Sequence, residues 1–247
     1  EITYGDWSSD VCSSDLARIP DVMGATGIAR TRSHQRYDRR RQTPWVTAIL
    51  GPSYGSPTWK PMSEDLPAKP KRIYDSAKFM GENVCIYYSD NMGLDTVSLR
   101  FASTYGPGKT ARHGPMAVMS RIVENPAHGL PFRLEKGGDD KDDFIYNKDS
   151  ATGIYLATVA GKLKSRVFNI GTGVGVTLKD FARVIKKHIP DAQMEIGDGL
   201  NFYGFPYPAT GVYDISRARS ELGYAPQYEL ERGIADYLAA LKMLKSA

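Results

Sequence analysis

Apolar and polar residues alternate along the chain in two rhythms, one of helical and one of strand period. From residue 74 to 90, Tyr74, Lys78, Glu82 and Ile86 step at helical spacing, which predicts one helix. Leu94-Asp95-Thr96-Val97-Ser98-Leu99-Arg100-Phe101 then reads as a strand, ended by Gly106-Pro107-Gly108. Val46-Thr47-Ala48-Ile49-Leu50, apolar and β-branched, predicts a short strand upstream. Helices are expected around Met116 to Glu124, over Ala151 to Ala160 with Asp149 as cap, over Leu178 to His188 and from Leu230 onward. Strands are expected at Pro131 to Glu135 and Val167 to Ile170. Strand, helix and strand in succession put helices on the faces of a parallel sheet, so the class is α/β. Ligands of such sheets bind beyond the carboxyl ends of the strands, here at Ser103 to Gly108.

Two connections invite a chemical reading and receive a structural one. Gly137-Gly138-Asp139-Asp140-Lys141-Asp142-Asp143 clusters carboxylates but lacks the spacing and terminal glutamate of a calcium loop, and reads as a solvated hairpin turn before Phe144-Ile145-Tyr146. Gly171-Thr172-Gly173-Val174-Gly175 lies between a strand and a helix without the spacing of a phosphate loop, and reads as a tight turn. Near the end, Asp214 or Ser216 caps a helix that stops at Gly223, with Pro226 beyond it.

Composition narrows the class further. With 247 residues and 41% hydrophobic content the chain can bury a real core. A net charge of +4 with both signs interspersed does not imply nucleic acid or acidic lipid. Cys12 and Cys85 have no metal spacing and form no disulfide framework, so no metal site and a reducing, cytoplasmic setting are expected. No apolar run reaches membrane-spanning length, and no signal peptide is visible.

The N-terminal region has a different texture. Asp6-Trp7-Ser8-Ser9-Asp10-Val11-Cys12-Ser13-Ser14-Asp15-Leu16 reads as the conceptual translation of a sequencing adapter, so residues 1–16 are set aside as artefactual or disordered. Residues 17–50 carry seven arginines and no lysine, whereas residues 51–247 carry fifteen lysines and ten arginines. That shift suggests a basic phosphate patch or a local reading-frame error.

The candidate chemistry centres on Tyr74-Asp75-Ser76-Ala77-Lys78. Residues four apart on a helix share a face with Cβ atoms roughly 5–6 Å apart, so one ammonium can sit beside one phenol. A free phenol has a pKa of about 10, and moving it near neutrality takes roughly 4 kcal/mol of preference for the phenolate. A neighbouring Lys⁺ and a cationic nicotinamide can supply that together, making the phenol a general acid/base at a carbinol oxygen.

Around this pair stand Ser53-Tyr54-Gly55-Ser56-Pro57 upstream and Arg100-Phe101-Ala102-Ser103-Thr104-Tyr105-Gly106-Pro107-Gly108 downstream, followed by Asp214-Ile215-Ser216-Arg217-Ala218 and Leu222-Gly223-Tyr224-Ala225-Pro226. This ordered set resembles the NAD-dependent epimerase/dehydratase family, the extended short-chain dehydrogenases, over roughly residues 53–247. The resemblance implies a Rossmann-type, doubly wound parallel sheet and NAD or NADP as cofactor. It makes Tyr74 the base and Lys78 its partner and ribose ligand, with Ser53 the remaining candidate for the catalytic hydroxyl. It implies cofactor contacts at Tyr74, Lys78, Phe101, Ala102 and Ser103, and substrate contacts at Ser103 and Tyr105. A homodimer and a small sugar, hydroxy or carbonyl substrate are the implied partners.

Gly24-Ala25-Thr26-Gly27 lacks a preceding strand, a third glycine and a following acid at the right distance, so it is not read as a dinucleotide loop. Asp21-Val22-Met23-Gly24 fits the family's Asn-Val-x-Gly helix start instead, and the sheet is expected to lack its N-terminal half. Residues 17–108 are then a remnant of the cofactor domain, and 109–247 are mainly a smaller α/β substrate domain, with 149–175 returning to the first sheet. Four residues before Tyr54, where the family has a serine or threonine, stands Leu50. Nucleotide-sugar members carry asparagine at the place of Ser103 and arginine at the place of Asp142, and here an aspartate turns attraction for a diphosphate into repulsion. Three readings stay open: a fragment of a sugar or nucleotide-sugar epimerase or dehydratase, itself inactive; a reductase or dehydrogenase of a non-nucleotide carbonyl or alcohol; and a non-catalytic family member.

Overall fold

In a computed structural model the residues described are 28–29 and 45–50, by backbone alone, together with 61–108, 117–207 and 209–245. A four-stranded sheet, in the order β1-β2-β3-β7, combines β1 (Ile28–Ala29), β2 (Trp45–Leu50), β3 (Thr96–Phe101) and β7 (Val167–Ile170). β2, β3 and β7 run parallel, with Leu50 in register with Phe101 and Phe101 with Ile170; β1 is antiparallel to β2. Every residue of β3 is buried, as a central strand covered on both faces must be. α1 (Ile73–Met92) crosses from β2 to β3 and stops at Gly93, whose φ of 66° is the left-handed conformation that suits glycine.

A second layer is built from shorter pieces. β4 (Ser103–Tyr105) pairs in parallel with β6 (Asp142–Tyr146), which pairs antiparallel with β8 (Gly175–Val176). β5 (Phe132–Leu134) pairs in parallel with β9 (Met194–Ile196). Around them pack α2 (Val118–Ala127), α3 (Asn147–Val159), α4 (Leu178–His188), α5 (Ser216–Leu222) and α6 (Leu230–Lys245).

β6 is the wall between two hydrophobic cores. Strand alternation sends Ile145 into the core with Val97, Leu99, Phe101, Phe168 and Ile170, and sends Phe144 and Tyr146 into the core with Tyr105, Phe181, Ile234 and Tyr237. No helix among the described residues is long and apolar enough to cross a membrane.

Two sequence expectations are corrected here. Residues 137–143 are not a solvated hairpin turn: Asp140, Asp142 and Asp143 are buried, β5 pairs with β9, and β6 starts at Asp142 itself. Asp149 does not cap α3, which begins two residues earlier; its buried carboxylate accepts from the backbone N–H groups of Gln227 (2.9 Å) and Tyr228 (2.8 Å) and pins the approach to α6. Residues 1–27, with Gly24-Ala25-Thr26-Gly27 and Asp21, lie outside the described residues.

Candidate active site

α1 starts after an extended Arg72 that has no side-chain cap. Instead the Arg72 guanidinium grips Asp75 with Nε at 3.0 Å and Nη2 at 2.6 Å, a charge-assisted fork over the first turn. The same guanidinium lies 5.8 Å from the ring centroid of Tyr74 and 4.6 Å from that of Phe205. One turn on, Lys78 Nζ lies 5.5 Å from the Tyr74 ring centroid, so phenol and ammonium share a side of the helix. Burial pulls the Lys78 pKa below its ordinary value, while the Tyr74 side chain is 43% exposed.

A buried ion pair locks this helix to the sheet. Glu82, one turn after Lys78, receives Arg100 Nε at 2.8 Å and Nη2 at 2.6 Å, and Arg100 Nη1 also donates to the Glu64 carbonyl at 3.1 Å. The Glu64 carboxylate accepts from Asn169 N at 2.7 Å, and Asn169 Nδ2 donates to the carbonyls of Met62 and Asp214. Burial pushes the Glu64 pKa up, the Asn169 bond and the Arg217 charge working against it.

Beyond the end of β3 the chain presents Ser103. Ser103 Oγ donates to Asp142 Oδ2 at 2.5 Å and lies 3.2 Å from Tyr203 Oη. Asp142 Oδ1 accepts from Gly211 N at 2.9 Å. Burial pushes the Asp142 pKa up to about 7; the bonds from Ser103 and Gly211 oppose the rise and the charge of Asp143 adds to it. Burial and the Asp142 charge also push the Tyr203 phenol up. Asp143 accepts from Thr172 N, Thr172 Oγ1 and Gly173 N, and so builds the Gly171–Gly173 turn. A Cβ at Gly171 would stand 2.5 Å from Asp143 Oδ2, which is why the turn begins with glycine.

A strap formed by residues 201–207 joins the two halves of the site. Asp140 receives the backbone N–H groups of Asn201 and Phe202 and fixes the strap's root. Tyr203 stacks on Phe205 at 5.5 Å and Phe205 on Tyr207 at 5.7 Å. Arg72 over Phe205 then connects the strap to the first turn of α1, so a chain of contacts runs from Tyr74 through Arg72, Phe205 and Tyr203 to Ser103 and Asp142.

The structure puts Tyr74 beside Lys78 and links Tyr74 to Ser103 only through Arg72, Phe205 and Tyr203. Phe101 and Ala102 are buried in the core with the first sheet, and their backbone groups are bonded within the protein, Ala102 N to Ile170 and the carbonyls of Phe101 and Ala102 to the hydroxyls of Tyr213 and Thr104. Tyr105 requires correction as a substrate contact. It is 1% exposed, its ring packs on Phe181 and Tyr146, and its hydroxyl has no hydrogen-bond partner among the described residues. Ser53 lies outside the described residues. Leu50, the last residue of β2, stands beside Phe101 at the carboxyl ends of parallel strands. Arg72 and Tyr203 were not singled out from sequence; the aromatic run Phe202-Tyr203-Gly204-Phe205-Pro206-Tyr207 was the available signal. No group of three or more His, Cys, Asp or Glu suited to a metal occurs among the described residues.

The cofactor expected from sequence can be tested against these residues. A nicotinamide ribose needs hydroxyl and ammonium partners next to the reacting carbon, and Tyr74 and Lys78 side by side in the first turns of α1 fit that need.

Residues 48–171 match the model of the NAD dependent epimerase/dehydratase family. The chain is 29% identical over 196 residues to UDP-glucose 4-epimerase of Mycolicibacterium smegmatis, covering 76% of this chain and 59% of that one. It is 29% identical over 213 residues to UDP-glucuronate 4-epimerase 1 of Arabidopsis thaliana, covering 78% and 47%. A crystal structure of UDP-glucuronic acid 4-epimerase from Bacillus cereus, in complex with UDP-glucuronic acid and NAD, superposes with a TM-score of 0.66 at 25% identity over 81% of this chain and 61% of that one. UDP-glucose 4-epimerase of Thermotoga maritima shares the fold, with a TM-score of 0.67 at 23% identity over 81% and 63%. The chain therefore spans about half to three fifths of the length of these relatives.

Proposed function

Because the chain belongs to the NAD dependent epimerase/dehydratase family, we propose that it is a fragment of a sugar or nucleotide-sugar epimerase or dehydratase in which Tyr74 moves the proton of an NAD-dependent reaction. The single observation that supports this most is the placement of Lys78 Nζ against the Tyr74 ring, on the helix held to β3 by Glu82 and Arg100. NAD, when bound, supplies a hydride acceptor at its nicotinamide. Tyr74 Oη takes the proton from the substrate hydroxyl as the hydride leaves its carbon, and returns it when the carbonyl is reduced. Lys78 stabilises the phenolate through its charge and holds the ribose side of the cofactor; its partial desolvation strengthens that charge interaction.

In this reading residues 45–108, with β7, form the cofactor side of the molecule and the β4-β6-β8 layer with α2, α4 and α6 forms the substrate side. Since Gly24-Ala25-Thr26-Gly27 lacks the spacing of a dinucleotide loop, the 247-residue polypeptide by itself is expected to bind NADH weakly. Saturable micromolar binding in an NADH fluorescence titration would refute the fragment reading. In a protein whose upstream reading frame is restored, Tyr74→Phe is expected to lower kcat by roughly 10²–10⁴ while leaving substrate affinity unchanged. An unchanged kcat would refute the role of Tyr74.

One observation favours a second reading. Leu50 stands where the family places a hydroxyl, so a protein that keeps leucine there once the frame is checked is expected to bind ligands without turning them over.

A further inference from the structure

Arg72 stands where a helix start least favours it. It is the N-cap residue of α1, in extended backbone and without a side-chain cap. That position prefers Ser, Thr, Asp or Asn, whose oxygen accepts from the free N–H groups of the first turn. A guanidinium has donors alone, and it adds positive charge at the positive end of the helix dipole. The charge is nevertheless built in. Asp75, whose side chain is 2% exposed, holds both Nε and Nη2, and the Phe205 ring of the strap has the guanidinium 4.6 Å from its centroid. The group is thus fixed from two elements, with its side chain 27% exposed. A sequence that breaks a local rule in this way is expected where a site gains from it. What stands next to the guanidinium is Tyr74, with Arg72 at 5.8 Å and Lys78 Nζ at 5.5 Å from its ring centroid.

We propose that Arg72 is a positioning residue that acts through Tyr74, supplying a second, fixed cation that together with Lys78 favours the Tyr74 phenolate. A phenolate spreads its charge from the oxygen into the ring, so cations near the ring stabilise it more than they stabilise the neutral phenol. Tyr74 is also the second residue of α1, where the helix dipole favours negative charge. The coupling is visible from the arginine's side. The hydrogen bond to Asp75, and then the charges of Asp75, Tyr207 and Tyr74, raise the Arg72 pKa against the effect of burial. Electrostatic coupling is mutual, so the Arg72 charge eases the ionisation of Tyr74 by the same amount. The charged and titratable groups facing this pair are Lys78 and Asp75 from α1 and Tyr207 from the strap. Asp75 has two effects of opposite sign: it fixes the guanidinium, and its own charge disfavours the phenolate. The inference rests on the proposed role of Tyr74 as the proton carrier.

The test is an NMR pH titration of the 247-residue chain labelled with a heavy-carbon isotope at tyrosine Cζ, the Tyr74 signal being the one absent from Tyr74→Phe. The expected result is a wild-type Tyr74 phenol that ionises below the ordinary value of about 10. Arg72→Gln keeps much of the reach and drops the charge, and is expected to make this phenol a weaker acid by at least about threefold in its dissociation constant. Asp75→Asn still accepts from Arg72 without its charge, and is expected to make the phenol stronger by a similar factor. Opposite directions separate charge from scaffolding, because a first turn that merely frays in both variants moves Tyr74 toward the ordinary value in both. An unchanged constant in Arg72→Gln, or shifts of the same sign in the two variants, overturns this inference and leaves the role of Tyr74 standing. If Arg72→Gln does not fold, Asp75→Asn decides alone: a stronger acid supports the inference, and an unchanged or weaker one overturns it. A wild-type phenol that ionises at or above about 10 overturns it together with the proposed role of Tyr74.

Discussion

The burial of Asp142 gives one residue a measurable hold on stability. Its carboxyl ionises near 7 in the folded protein and near 3.8 when exposed, so between those values the folded state holds a proton that the unfolded state has released. Stability must therefore fall as pH rises from about 4 to about 7 through this group, and Asp142→Asn should recover at most about 4 kcal/mol at pH 8 and nothing near pH 4. Urea denaturation of both proteins at the two pH values checks this. Asp143 and Glu64, also raised by burial, leave a residual slope of the same sign in the variant. The Tyr74–Lys78 pair was legible from sequence because a spacing of four fixes which side chains meet on a helix. Tyr105 was not. It has the same strand parity as Ser103, so both leave β4 on one face, but at Ser103 that face opens to the site and at Tyr105 it is covered by α6 and Phe181.

Among elements, α4 is the one whose start is written in the chain most completely. Thr177 Oγ1 accepts from Asp180 N at 3.1 Å and Asp180 Oδ2 accepts from Thr177 N at 2.8 Å, a capping box that matches the expected boundary at Leu178. Thr177→Ala should cost about 1 kcal/mol in thermal or chemical denaturation. The contact of α6 with β4 is tighter: a Cβ on Gly233 would stand 2.0 Å from the Tyr105 hydroxyl oxygen. Gly233→Ala is expected to destabilise by about 1–3 kcal/mol, and Tyr105→Phe, which removes a buried hydroxyl without a partner among the described residues, should rescue part of that loss. A full and additive cost in the double variant would contradict the packing account. The misread element, residues 137–143, shows the limit of local reasoning. Glycines and charges between apolar runs suggest a hairpin, but the partners of these aspartates are distant in sequence, Ser103 upstream and Thr172, Gly173, Asn201 and Gly211 downstream.

Across the whole molecule the polar chain from Glu82 through Arg100 and Glu64 to Asn169 ties together α1, β3, the segment before α1, β7 and the carbonyl of Asp214. Both members of the Arg100–Glu82 pair are buried, with side chains 7% and 4% exposed. Arg100→Met alone should cost about 3–5 kcal/mol because it strands a buried carboxylate, whereas Arg100→Met with Glu82→Leu should recover most of it. Equal losses in the single and double variants, read from urea midpoints, would show that the ion pair does not act as a unit.

The amino-acid sequence by itself determined the succession of β2, α1 and β3, most of the later helices, the α/β class, the family and the face-sharing of Tyr74 with Lys78, because periodicity, caps and glycine stops act over a few residues. Only the tertiary structure decided that Asp142 would bind Ser103, that Tyr203 would join them from a strap 100 residues away, and that Tyr105 would turn into the core. Those outcomes depend on which buried surfaces meet and which polar atoms are left to pair inside them, and neither is encoded in local spacing.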